Sequence, residues 1–199
     1  MKRRPFLLGL TGSIGMGKST TAAMFSDAGV PVWDADAAVH AMYRPGGAAV
    51  GPIGAAFPAA VGADGVDRAA LKRILARDPS ALARLEAIVH PLTSAARTAF
   101  IAQHADAPLI VLDIPLLYET GADALCDATV VVTAPPAVQR ARVLDRPGMT
   151  EAQLALILAR QMPDAEKRAR ADYLIETVTL EAARIAVQDL VTKLGGSHA

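Results

Sequence analysis

Cysteine is nearly absent from this chain. Cys126 stands alone, which excludes an internal disulfide framework and fits a reducing compartment. Charge of either sign is not in surplus: 20 basic residues face 20 acidic ones, so no global field recruits nucleic acid or an anionic membrane. An anionic substrate must then be drawn by local cations. No Cys-x-x-Cys pair and no His-Glu-x-x-His helix occurs, so no zinc site is expected. Long apolar runs are missing too. The start, Met1-Lys2-Arg3-Arg4 followed by Phe6-Leu7-Leu8, has the outline of a signal peptide, but Gly9 breaks it too early for a secretory core. No later run reaches membrane-spanning length, and the expectation is a cytoplasmic protein.

What is present is an apolar fraction of 52% with 20% charged residues over 199 positions, enough for one core domain with an inserted subdomain. Residues 6–11 read as a short buried strand, 18–28 as a helix, 30–34 as a second strand and 35–43 as a helix. From Gly46 to about Val66 the chain is rich in Gly, Pro and Ala with little periodicity, a connection into a different packing unit. Residues 67–104 are helical in pattern, with Asp78 as a cap and with His90-Pro91 expected to interrupt the run. Strands follow at 109–113, 129–133 and 173–175, with helices at 135–144, 151–161 and 180–194. Alternation of near-continuous apolar strands with helices predicts an α/β sandwich around a parallel sheet.

The run Gly12-Ser13-Ile14-Gly15-Met16-Gly17-Lys18-Ser19 fits G-x-x-x-x-G-K-[ST] and sits between a predicted strand and a predicted helix, the context that pattern needs. Glycines let the backbone wrap phosphate oxygens, and the helix that follows turns the positive end of its dipole toward them. In this reading Gly12, Ile14, Gly15, Met16, Gly17, Lys18, Ser19 and Thr20 hold ATP; Lys18 reaches the β- and γ-phosphates and the Ser19 hydroxyl ligates Mg²⁺. Asp113, closing an apolar strand, is either a second support for the metal or a polar strand terminus.

A switch GTPase needs an Asn/Thr-Lys-x-Asp element to read its base, but Thr192-Lys193 is followed by Leu194-Gly195. The sole Asp-x-x-Gly match, Asp145-Arg146-Pro147-Gly148, follows a helix. A kinase instead needs a carboxylate near the acceptor hydroxyl and cations around the charge in flight. Asp34 and Asp36 follow the second strand, where one of them is expected to cap the next helix. Arg140, Arg142 and Arg146 precede a segment suited to a lid; a subset would neutralise the transferring phosphoryl. Arg142, Arg160 and Arg168 are read as solvated charge.

These motifs resemble the dephospho-CoA kinase family over most of the chain, from Leu8 to about Glu176. Leu10 to Thr20 is similar to its phosphate loop, and Asp34-Ala35-Asp36 to its Asp-Ala-Asp, whose second carboxylate is the proposed general base. Ile88-Val89-His90-Pro91 and Ile114-Pro115-Leu116-Leu117-Tyr118-Glu119 match segments that line the acceptor side, while Arg140, Arg146, Gln161 and Ala171-Asp172 resemble the lid and nucleotide-side pattern. Two departures stand out: Ser13 replaces a usual second glycine, and Ile175-Glu176-Thr177 replaces a segment that commonly carries Asn and Gly near the adenine.

The resemblance implies a P-loop kinase three-layer sandwich spanning 1–199, with a five-stranded parallel sheet, a helical CoA-binding insert at 46–104 and a lid at 145–164. It implies transfer of phosphate from Mg²⁺-bound ATP to the ribose 3′-hydroxyl of dephospho-CoA. Asp36 would activate that hydroxyl, Lys18, Arg140 and Arg146 would stabilise the group in transfer, and His90, Leu116, Leu117, Tyr118 and Glu119 would line the acceptor site. ATP and dephospho-CoA are the expected partners, without nucleic acid or membrane, and a monomer is favoured. The rivals are another small-molecule P-loop kinase and a binding protein whose ATP hydrolysis only times a conformational change.

Overall fold

The computed structural model describes residues 4–196; Met1, Lys2 and Arg3 of the basic start, and residues 197–199, lie outside them. Two compact units form, one from the chain up to Trp33 together with the chain from His104, the other from Asp34–Gln103.

The first unit is built on a five-stranded parallel sheet. Its strands are β1 (Phe6–Thr11), β2 (Val32–Asp34), β5 (Leu109–Asp113), β6 (Ala128–Thr133) and β7 (Tyr173–Glu176), in the order β2-β5-β1-β6-β7. β1 pairs parallel with β5, Phe6 opposite Leu109, and with β6, Leu8 opposite Ala128. Every residue of β5 and β6 is buried, as central parallel strands covered on both faces require. Helices α1 (Lys18–Asp27) and α9 (Leu180–Gly196) supply part of that cover. In α9, Ala183, Val187, Leu190 and Leu194 recur at helical spacing and are buried with Phe25, Leu8 and Leu10 in one core. The remaining helices of this unit are α6 (Pro136–Leu144), α7 (Glu151–Leu158) and α8 (Asp164–Arg170).

α8 goes beyond the sequence expectation, which ended its elements at 161 before the last strand. It carries no apolar stripe: Lys167 is its one buried residue, so hydrophobic periodicity has nothing to register.

The second unit holds α2 (Ala35–Tyr43), α3 (Val50–Ala56), a 3₁₀ turn at Pro58–Ala60, the hairpin β3 (Val61–Gly62) and β4 (Gly65–Val66), α4 (Arg68–Arg77) and α5 (Ala81–Gln103). Met42, Ile53, Phe57, Ala60, Leu71 and Leu85 form its core. The stretch without periodicity, 46–66, is therefore structured. α3 is seven residues with two glycines and Pro52 in its first turn, and buried Ile53 rather than propensity holds it.

The expected break at His90-Pro91 is corrected: α5 runs unbroken through Pro91. Proline removes one helical hydrogen bond and costs about 3 kcal/mol in a helix interior. Against that, Ile88, Val89, Leu92 and Ala96 continue the stripe of Leu85 onto the same core, and the Thr93 hydroxyl donates to the Val89 carbonyl at 2.8 Å.

Candidate active site

β5, β1, β6 and β7 are parallel, so their C-terminal ends share one edge of the sheet, the edge at which open α/β sheets bind ligands. Gly12 after β1, Asp113 ending β5, Thr133 ending β6 and Thr177 after β7 all reach that edge. Gly15 and Gly17 adopt φ of 77° and 85°, left-handed angles that glycine takes without strain. A Cβ on Gly15 would stand 3.0 Å from the Gln139 carbonyl. Ser13 is not among the positive-φ residues, so its replacement of glycine needs no unusual backbone.

Gly17 is also the N-cap of α1, and no side chain bonds the first amides of that helix, nor does its first turn contain an acid. Uncapped amides at the positive end of a ten-residue helix are an anion site in waiting. Ser19 and Thr20 are exposed there.

Lys18 extends from this first turn to donate to Asp113, whose side chain is 3% exposed. A carboxylate so buried needs a cationic or hydrogen-bonded partner, and Lys18 supplies it where phosphate would otherwise arrive. Ser19 and Asp113 offer the hard oxygen donors that Mg²⁺ takes. Among the described residues no cluster of three or more His, Cys, Asp or Glu side chains could hold a metal.

The loop is held from outside by side chains of α6, of the chain after α7 and of the chain after β7. Gln139 of α6 donates through Nε2 to the Ile14 carbonyl at 2.8 Å, and Gln161 Oε1 accepts from the Ile14 amide at 3.1 Å. Met16 is buried, with its sulfur 3.1 Å from the Ala134 amide. Thr177, one of the family departures, donates its hydroxyl to the Met16 carbonyl at 2.8 Å. The Arg142 guanidinium clasps Thr177 in turn, donating to its hydroxyl at 3.0 Å and to its carbonyl at 2.5 Å.

Arg142 is thus no solvated bystander. Together with Arg146, Gly15, Gly17 and Thr20 it lines a cavity of about 230 Å³ against the phosphate loop. Arg140 points elsewhere and pairs with Glu151 at the start of α7, with both side chains largely exposed. We expect Arg146→Ala to lower kcat by roughly 10²-fold, the scale of removing a charge that stabilises a transition state. Arg142→Ala should cost about tenfold or more by loosening the loop. Arg140→Ala, which frees an exposed pair, should change kcat little. Steady-state kinetics of the three variants check the ranking; an Arg140→Ala loss as large as that of Arg146→Ala would reverse it.

Asp172 is placed differently from its resemblance to a nucleotide-side motif. It precedes β7, at the opposite edge of the sheet, and accepts from the Thr129 amide at 2.8 Å and hydroxyl at 3.0 Å. Tyr118 is buried, and its hydroxyl donates to the same Thr129 at 2.9 Å. Leu117 is fully buried beneath Gly9, whereas Leu116 is 40% exposed. The 115–119 segment therefore offers Leu116 to its surroundings, while Leu117 and Tyr118 anchor it.

Glu119 accepts from the Met162 amide at 2.8 Å and pairs with fully buried Lys167 at 2.9 Å. Burial opposes ionisation of Glu119, but the Lys167 hydrogen bond and the backbone amides outweigh it and hold its carboxyl below the ordinary 4.5. A depressed carboxyl contributes stability above its unfolded-state value and loses it as pH falls through the folded-state value. The melting-temperature advantage of wild type over Glu119→Gln should therefore be constant above about pH 5 and shrink below pH 4.5. Melting curves of both proteins across that range check it, and a gap that widens on acidification would contradict the assignment.

In the second unit, Asp34 caps α2: its carboxylate accepts from the Ala37 amide at 2.9 Å. Asp36 lies in the first turn of α2, exposed, and no bond commits its carboxylate among the described residues. His90 is exposed on α5.

Comparison with known proteins agrees with this geometry. The family model for dephospho-CoA kinase matches residues 6–181. A dephospho-CoA kinase of Cereibacter sphaeroides is 63% identical over 191 residues, covering 96% of each chain. One from Jannaschia sp. is 61% identical over 189 residues, covering 95% of this chain and 97% of the relative. The crystal structure of TT1252 from Thermus thermophilus superposes with a TM-score of 0.83 at 36% identity, covering 96% of this chain and 99% of the other. The dephospho-CoA kinase of Campylobacter jejuni, with a TM-score of 0.72 at 20% identity over 97% of this chain and 98% of its own, shares the fold. An uncapped helix behind a left-handed glycine loop, on a five-stranded parallel sheet and in a chain matched nearly end to end, leaves one assignment: this chain belongs to the dephospho-CoA kinase family.

Proposed function

We propose that the chain moves the γ-phosphoryl of ATP to the ribose 3′-hydroxyl of dephospho-CoA, giving CoA and ADP. The observation that carries this is the cradle itself: Lys18 and the uncapped amides of α1 beside a cavity that Arg142 and Arg146 close with positive charge. The phosphate chain of ATP lies on the loop amides. Lys18 then turns from Asp113 toward the β- and γ-phosphates, and Arg146 meets charge as it spreads over the transferring group. Asp36, left free because Asp34 takes the cap, accepts the proton of the ribose hydroxyl. Ser19 and Asp113 would hold Mg²⁺, which when bound neutralises phosphate charge and fixes the chain's geometry.

The 46–104 segment, within the second unit, is the coenzyme-binding part, with His90 among its acceptor residues; in the first unit, Leu116 and Glu119 serve acceptor binding. Residues 145–164 serve as the lid. Among the described residues no helix is long and apolar enough to cross a membrane. Hydrogen exchange in 46–104 should slow on binding dephospho-CoA and respond less to ATP alone; protection confined to the phosphate loop would contradict this role.

Coupled measurement of ADP release with dephospho-CoA, AMP or shikimate as acceptor tests the activity. Release is expected with dephospho-CoA alone, with CoA identified as product by mass. Equal turnover with and without any acceptor would overturn the reading in favour of a nucleotide-timed binding protein.

A further inference from the structure

We propose that the buried Lys167–Glu119 ion pair is a positioning device for phosphoryl transfer, holding the chain that returns from α7 in register with the phosphate loop. The inference rests on the kinase reading above and extends it to a lysine whose bonds are to Glu119 and the Pro115 carbonyl.

Lys167 is fully buried on an otherwise solvated seven-residue helix, where a lysine stays only if paired. Its Nζ lies 2.9 Å from Glu119 Oε1 and donates to the Pro115 carbonyl at 3.4 Å. That same carbonyl accepts from the Thr11 hydroxyl at 2.9 Å, and Thr11 leads directly into Gly12. On the other side Glu119 Oε1 accepts from the Met162 amide at 2.8 Å, while neighbouring Gln161 accepts from the Ile14 amide at 3.1 Å. The bonds close a circuit. It leaves the phosphate loop at Thr11, passes through Pro115, Lys167, Glu119 and Met162, and re-enters at Ile14 through Gln161.

Stability alone does not call for such a pair, since two apolar side chains of similar volume often serve a buried site as well or better. What apolar side chains cannot do is direct. A carboxylate that accepts from a lysine and a backbone amide at once fixes the return end of α7 in orientation as well as in distance. Arg142 and Arg146 lie just before α7, so both ends of that excursion are tied to the loop that holds the phosphates.

The test is the double variant Lys167→Met/Glu119→Leu, apolar and of similar volume, which releases Met162 without leaving a buried charge. It should fold, and its kcat for dephospho-CoA phosphorylation should fall about 10- to 100-fold, the scale of small misplacements at a reacting centre. The KM for ATP should change far less, and ATP hydrolysis without acceptor should rise as a fraction of turnover. Gln161→Ala, which cuts the other link, should show the same split, and exposed Arg160→Ala should not. A folded double variant with wild-type kcat, or a loss matching its unfolded fraction by circular dichroism at the assay temperature, overturns the inference. Should the double variant fail to fold, Gln161→Ala decides alone, and wild-type kcat there overturns it. Wild-type protein inactive on dephospho-CoA refutes the kinase reading instead.

Discussion

Asp36→Asn is expected to lower kcat by roughly 10²–10⁴-fold, the range for loss of a general base, with ATP affinity close to wild type. Asparagine keeps the shape of the side chain and can still orient a hydroxyl, but it does not take the proton. The local structure separates this residue from its neighbour. Asp34 bonds the Ala37 amide and so caps α2, while Asp36 has no such duty. Asparagine is also a good N-cap, so Asp34→Asn should keep both its fold and most of its turnover, and Asp34→Ala should cost about 1 kcal/mol of stability. Measuring kcat and melting temperature for the three variants distinguishes the roles. A stable but dead Asp34→Asn beside an active Asp36→Asn would exchange them.

Lys18→Ala should reduce turnover by about 10²–10³-fold, because the ammonium meets charge that grows as phosphate transfers. The ion pair with Asp113 adds a second consequence. Removing Lys18 takes the cation away from a carboxylate that is 3% exposed. Breaking a buried pair costs on the order of 3–5 kcal/mol when the remaining charge is left uncompensated, and less here, because Asp113 keeps other interactions and Lys18 some solvent contact. The melting temperature should therefore fall together with kcat. The double variant Lys18→Ala/Asp113→Asn should regain most of the stability and none of the rate. Thermal melts beside single-turnover assays resolve the two effects. Near-normal kcat in Lys18→Ala would take the lysine out of the mechanism, and a rate restored in the double variant would reduce it to a structural counter-ion.

Much of the first unit is legible without coordinates. Phe6–Thr11, Leu109–Asp113 and Ala128–Thr133 announce themselves because strands buried on both faces must be apolar throughout. Gly15, Gly17 and Lys18 are equally visible, since a phosphate loop needs backbone angles that few residues adopt and one cation at a set spacing. The legible part thins where burial and sequence pattern part company. α3 forms from Gly, Pro and Ala because Ile53 is buried, α5 passes through Pro91 because its stripe stays on the core, and α8 hides because its buried residue is a lysine.

The arginines make the same point at the site. Arg140, Arg142 and Arg146 are indistinguishable as letters in and just after α6, and from sequence Arg142 reads as solvated charge. Its actual partner, Thr177, lies 35 residues away, and Thr177 in turn holds Met16 across 161 residues. Asp172 likewise sat in a recognisable motif, yet the direction of β7 puts it at the far edge of the sheet from the phosphates.

By itself the sequence determined the chemistry of the phosphate loop, the alternation of strand and helix and the family, because each is written in neighbouring residues through backbone angle, burial period and fixed spacing. Only the tertiary structure decided which charges face that loop and which bonds hold it: Arg142 on Thr177, Lys18 on Asp113, Lys167 on Glu119. The reason is physical. A hydrogen bond or ion pair depends on where two side chains meet in space, and parallel strands joined by long crossovers bring together residues whose separation along the chain leaves no local trace.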